Sequence, residues 1–209
     1  MYVPKHFDAP DQAWCHALIE RESFALLVST GGDGAPFATH LPLLLDGDRG
    51  PRGTLVGHLA RANPHARLLA EAAPSLAVFQ GPHAYVSPGW YRVHPSVPTW
   101  NYVAVHAYGR PVVVEEPARV KALLDRLVKT YEDGRAEPWR FDALPTDYVD
   151  GMIRGIVAFE LPIDRLEGKA KLSQNRGAED RASAIRGLEA TADPLAAATA
   201  ALMRQALEG

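Results

Sequence analysis

The stretch GHLARANPHAR, residues 57–67, runs a strand pattern straight into Asn63-Pro64, the residue types that begin a helix. Such a junction gathers unpaired backbone N–H groups and a positive dipole end at one point. With Arg61 and Arg67 beside it, the junction has the chemistry to hold a phosphate; a capped helix with surface arginines is the competing account. In ATHLPLLL, residues 38–45, His40 interrupts a run of small and apolar residues, either as a hydrogen-bonded structural group or as part of a site. FQGPHAYVSPGWY, residues 79–91, collects Gln80, His83, Tyr85, Ser87, Trp90 and Tyr91 around a break at Gly81-Pro82. Breaks of that kind occur beside sites and at ordinary barrel corners alike.

In SVPTWNYVAVHAYG, residues 96–109, Thr99, Asn101, Val103 and Val105 alternate with Trp100, Tyr102, Ala104 and His106. One strand face therefore carries Trp, Tyr and His, and the other begins with Thr and Asn. A site for a flat, polar-edged ring needs both kinds of surface. GKAKLSQNRG, residues 168–177, places Lys169, Lys171, Gln174, Asn175 and Arg176 between a strand and a helix, as a solvated basic loop or an anion contact.

Other chemistries lack their parts. None of the eight histidines sits in an HxxxH or HExxH arrangement with a third ligand nearby, so no metal is expected. GxSxG, the phosphate loop of NTPases and GxGxxG are all missing from the chain. The one cysteine, Cys15, cannot form an intramolecular disulfide and suits a small buried position on a helix. Lys plus Arg (22) nearly balances Asp plus Glu (25), a net charge of -3, so no broad field favours a nucleic-acid backbone. No residue stands out as an acid–base catalyst, and none is assigned that role. The N-terminal MYVPKHFDAP lacks the basic-then-apolar order of a signal peptide, and no apolar run reaches the roughly 18 residues of a membrane span. A cytoplasmic protein with no membrane contact is expected.

These residues need elements to hold them. PDQAWCHALIERE (10–22) has helical spacing with Asp11 as its cap, and SFALLVST (23–30), GGDG and APFATHLPLLLD (35–46) read as two antiparallel strands about a turn. TLVGHLA (54–60) is a third strand, followed by a helix from Asn63-Pro64. Residues 75–90 form a strand with a bulge or edge at Pro82, and 99–116 is the longest strand candidate. Residues 116–134 are an amphipathic helix with Val120, Leu123, Leu124, Leu127 and Val128 on one side; 155–169 return to strand. An Ala-rich helix starts near Asp193 and Pro194. Five or six strands with late helices suggest a mainly β protein with peripheral helices, an antiparallel barrel in one domain. Its extent is 1–190, with residues 191–209 as a helix appended to it.

Taken in order, MYVPKHF, ATHLP, GHLARANPHA, GPHAYVSPGWY, VPTWNYVAVHAYG and KLSQNR resemble the PaiB family, described as FMN-binding negative transcriptional regulators. The motifs span residues 1–190, and the one departure is Gly89 where the family's pattern has Ser. The resemblance implies a split antiparallel β-barrel in a homodimer, with FMN at the subunit interface. It implies Thr39, His40 and Leu41 beside the isoalloxazine, and His58, Leu59, Arg61 and Asn63 at the phosphate. From the partner subunit it would bring Thr99, Trp100, Asn101, Lys171, Gln174 and Arg176, with Trp100 or Tyr102 over a flavin edge and Asn101 on a ring carbonyl or ribityl hydroxyl.

Three functions stay open on these residues. The first is an FMN-binding homodimer with a negative transcriptional regulatory or flavin-dependent redox role, any enzyme activity being that of an FMN-dependent oxidoreductase. The second is a direct DNA-binding repressor, which the acidic charge and the lack of a helix-turn-helix pattern disfavour. The third is a haem-binding or haem-degrading split barrel, with His40, His58, His83 or His106 as axial ligand.

Overall fold

The mostly apolar run FALLVST, with Phe24, Val28 and Thr30 as its β-formers, makes strand β1 (Phe24–Thr30), and the polar turn after it returns the chain as β2 (Pro36–Pro42), in the register Leu27↔Thr39. Gly34 takes the positive φ of 78° that this turn needs. The computed structural model describes residues 1–208. The remaining strands are β3 (Leu44–Asp46), β4 (Thr54–Ala60), β5 (Ser75–Val86), β6 (Thr99–Gly109), β7 (Val112–Val114) and β8 (Ile156–Lys171). Among the described residues six α-helices accompany them: α1 (Gln12–Arg21), α2 (His65–Ala70), α3 (Pro117–Glu132), α4 (Thr146–Arg154), α5 (Ala178–Glu189) and α6 (Pro194–Glu208). The strand order is β2-β1-β5-β6-β8-β4-β3, with β7 also paired to β8. Every pairing with a described register is antiparallel. The fold class is the expected one, mainly β with peripheral helices, of the antiparallel split-barrel type. No described helix is long and apolar enough to cross a membrane.

The chain divides into two compact units. One contains Ile19–Val78 and Ala107–Leu166. Its core joins Leu44, Val56, Val114 and Ala158 from strands to Val120, Leu123 and Leu127 of α3, whose spacing lays them on one helix face. Over this core lies an ionic cluster in which Arg49 donates to Asp46 (3.0 Å) and Glu160 (2.7 Å), Arg119 to Glu160 (2.5 Å), and Arg126 to Asp46. The hydrogen bond from Arg49 is the main reason the Glu160 carboxyl sits below its usual range.

The other unit contains Met1–Leu18, Phe79–His106 and Glu167–Gly209, of which Gly209 lies outside the described residues. Asp11 caps α1 by accepting the Trp14 N–H (2.8 Å), and Asp193 does the same for Leu195 at the start of α6 (2.9 Å). Gly168 passes so close to Ala9 and Cys15 that a side chain there would strike both. Burial, then the charges of Asp11 and Asp8, raise the Cys15 thiol to about 11, the inert state expected of a packed cysteine.

Several boundaries differ from expectation. Residues 35–46 are two strands, because the pairing partner changes at Leu43: its N–H still bonds Ser23 O (2.9 Å) beside β1, and β3 then pairs with β4. Residues 99–116 also divide, at Arg110-Pro111, where proline has no N–H for a ladder, and β7 resumes pairing along β8, which β6 also borders. Among the described residues eight strands form where five or six were expected, and β8, at 16 residues, is the longest of them. The bulge expected in β5 is visible in its burial. Inward positions fall at 75, 77, 79 and 81, then at 84 and 86, the one-residue phase shift of an inserted residue at Pro82-His83.

Candidate functional site

In the first unit, β2 stands at the outer end of the strand order, and alternation turns its residues two ways. His40 is exposed and stacks on the exposed Phe24 ring at 6.1 Å, Thr39 is half-buried, and Leu41 fills the core. The helix start at residues 63–65 meets this strand from beneath. Asn63 Oδ1 accepts the His65 N–H (3.0 Å), and Asn63 Nδ2 donates to Thr39 Oγ1 (3.3 Å). The His65 ring is fully buried, with Nδ1 at 2.8 Å from Thr39 Oγ1 and Nε2 at 2.8 Å from Ser29 Oγ. Ser29 Oγ in turn lies 2.6 Å from Ser75 Oγ, which donates to Ala73 O (2.9 Å).

Of the residues expected at the phosphate, Arg61 donates Nε to Arg154 O (2.9 Å) and Nη2 to Ile156 O (2.7 Å), which fixes its guanidinium at the end of β4. Its Nη1 makes no bond among the described residues. Leu59 is packed in the core, so only its backbone groups remain for a ligand, as with Leu41. His58 is partly buried, and its Nδ1 has no hydrogen-bond partner among the described residues.

Burial holds both His58 and His65 below the ordinary imidazole value of 6.5. Below 6.5 the unfolded chain takes up protons that the folded imidazoles refuse, so stability is complete above 6.5 and falls as the pH drops toward the folded values. Replacing His58 by Phe is expected to flatten this decline; an unchanged slope in thermal melts run from about pH 7 to about pH 5 would contradict it.

In the second unit, β6 turns Asn101, Val103 and Val105 inward and Trp100, Tyr102 and His106 outward. Trp100 is 54% exposed, with the Tyr85 ring edge-on at 6.0 Å and His83 at 6.3 Å, an open aromatic surface. Asn101 is spent inside the chain: it is fully buried, Nδ2 donates to Ser173 Oγ (2.9 Å) and contacts Met203 S (3.2 Å), and Ser173 donates back to Oδ1 (3.2 Å). Lys171, expected in a loop, is the last residue of β8. Its ammonium donates to Thr99 Oγ1 and Trp100 O (2.7 Å), and burial, then the Lys169 charge, lowers its pKa. Gln174 closes the turn that follows, accepting from Leu172 N (2.8 Å) and donating to Ala170 O (2.6 Å). Arg176 lies over the Tyr91 ring at 4.4 Å and reaches Ser96 Oγ at 3.3 Å. Buried Asp180 braces the facing loop by accepting from Arg92 N (2.7 Å).

The expected residues thus form two sets. Thr39 and Asn63 meet in one unit; Thr99, Trp100, Asn101, Lys171 and Gln174 crowd around the β6 start and β8 end of the other. Sequence reasoning passed over His65, Ser29 and Ser75. A signal existed: Ser29 shares the inward row of Ala25 and Leu27, and Ser75 opens the inward row of β5, so each had to find a buried partner. Among the described residues no three His, Cys, Asp or Glu side chains converge as a metal site requires.

Comparison with known proteins bears on this arrangement. Residues 1–165 match the family model described as "Putative FMN-binding domain". The chain is 36% identical over 208 residues to protease synthase and sporulation protein PAI 2 of Bacillus subtilis, covering 100% of this chain and 99% of that one. Among solved structures it is similar to the flavocytochrome Anf3 of Azotobacter vinelandii, with TM-score 0.64, 18% identity and coverage of 87% and 78%. It is similar also to the FAD and heme binding protein of Mycobacterium smegmatis, with TM-score 0.57, 19% identity and coverage of 85% and 79%. At those identities the structural likeness speaks for the fold alone. The sequence likeness reaches further, since it runs the length of the motifs that carry both residue sets, and on it the chain belongs to the PaiB-type family of FMN-binding domains.

Proposed function

We propose that the protein is a homodimer that holds FMN where two copies meet, and that its role is regulatory or redox. In this reading Thr39, His40, Arg61 and Asn63 of one copy face Thr99, Trp100, Lys171 and Arg176 of the other. The observation that carries it is the β2 edge. An outermost strand with Phe37 37% exposed, flanked by Phe24 of β1 at 68% exposed and next to a half-buried hydroxyl held by a polar network, invites a second chain and a polar-edged ring. The residues suit the ligand: Arg61 Nη1 and the Lys171 ammonium for a phosphate, Thr39 for the ring edge, Trp100 for the ring plane. Bound flavin would supply the electron chemistry; the residues here bind it, orient it and set its electrostatic surroundings. Control of transcription would then follow flavin occupancy or redox state, since a net charge of -3 gives DNA little to hold.

Protein purified without added flavin is expected to show flavin absorbance or to bind FMN saturably, and to elute as a dimer in light scattering. Arg61→Ala is expected to weaken FMN binding by about tenfold, the worth of a charge-assisted hydrogen bond. A monomer that ignores FMN would sink the proposal.

A second reading, haem, has one observation in its favour. The His40 imidazole is exposed on the β2 edge and, among the described residues, makes only the stacking contact with Phe24. A Soret band on haem titration, lost in His40→Ala, would favour it over flavin.

A further inference from the structure

The buried relay beneath Thr39 has a direction, and counting protons reveals it. Ala73 O can only accept, so the single hydroxyl proton of Ser75 points to it (2.9 Å). Ser29 must therefore donate across the 2.6 Å contact to Ser75. With that proton committed, the 2.8 Å contact between Ser29 Oγ and His65 Nε2 is made by Nε2–H. A neutral imidazole carries one N–H, so Nδ1 is an acceptor, and the hydroxyl 2.8 Å from it, Thr39, donates inward. The opposite direction would leave the oxygens of Ser75 and Ala73 face to face with no proton between them.

His65 stays neutral near pH 7. The groups touching its ring are Ser29 from β1 and Thr39 and Phe37 from β2, none charged, and burial alone shifts it downward. Thr39 has two lone pairs and accepts from Asn63 Nδ2 with one. The other is what it presents outward.

We propose that His65 is a positioning residue: it turns the Thr39 proton inward, so that Thr39 meets the flavin as an acceptor only and selects a donor, the ring N3–H or a ribityl hydroxyl. The flavin part rests on the reading of Thr39 as a cofactor neighbour; the relay direction does not.

Long-range 1H–15N spectra of the flavin-free protein near neutral pH read the His65 tautomer directly. Nε2–H is expected, and an Nδ1–H form would overturn the relay. FMN titrations then test the consequence. Thr39→Val and His65→Leu are each expected to weaken binding by about tenfold, and His65→Leu to add less than about twofold once Thr39 is Val. His65→Asn, whose Oδ1 takes the place of Nδ1 as acceptor, is expected to recover most of the loss. It also keeps the test alive should His65→Leu fail to fold. Equal losses from His65→Leu in both backgrounds, or no rescue by Asn, would reduce His65 to a packing residue and overturn the proposal. With Nε2–H present, full FMN affinity in Thr39→Val would overturn the contact with flavin. Failure of the unaltered protein to bind FMN would instead overturn the FMN reading.

Discussion

Gly109→Ala is expected to cost about 3 kcal/mol or more of folding stability, a large part of the roughly 5–15 kcal/mol that separates a typical domain from its unfolded chain. Gly109 ends β6 on its inward row, and a Cβ there would run into the carbonyl oxygen of Pro162 and come within 3.2 Å of Leu161 Cδ1. A flexible neighbour could swing aside. A backbone carbonyl in the middle of β8 cannot, because that stretch of strand is pinned by the register Thr54↔Pro162 and Leu55↔Leu161 with β4. Gly134→Ala serves as the control: a Cβ there meets nothing within 4 Å, so its effect should stay within about 0.5 kcal/mol. Urea melts of the two variants decide the matter. A Gly109→Ala protein as stable as Gly134→Ala would mean that β8 yields where its pairing says it should not.

What sequence could say about this molecule was set by period and punctuation. The β1–β2 turn, the phase break at Pro82 and the apolar face of α3 all rest on patterns of several residues with a clear stop, and all three form. Elements of three residues have no period, which is why β3 and β7 were merged into longer strands. Alternation along β6 separated two faces but could not say which one looks inward, since Thr-Asn-Val-Val and Trp-Tyr-Ala-His each mix polar and apolar types. The structure gives the inward row to Asn101, a polar residue, because Ser173 arrives from a turn 72 positions away to pair with it. Likewise nothing in its own segment singles out His65. Its partners come from β1 and β2, and such meetings are properties of register, which no local window contains.

Asn101→Ala is the second large effect, and it separates two roles for a residue first read as a ligand contact. The structure predicates a core role: the substitution leaves the Ser173 hydroxyl without its partner and opens a gap beside Met203, together worth about 3 kcal/mol. Ser173 sits at φ 65° in the turn that follows Lys171 and precedes Gln174 and Arg176, so loosening it also frees the residues proposed to hold the flavin. Thermal stability and FMN affinity should therefore fall together, and the affinity should recover when temperature is lowered well below the new midpoint. Trp100→Ala, one residue earlier on the exposed face, should do the reverse, weakening FMN binding with under about 1 kcal/mol lost in stability. If Asn101→Ala instead keeps its melting midpoint and loses only FMN, the amide reaches the ligand, and the bond to Ser173 is an arrangement that the cofactor displaces.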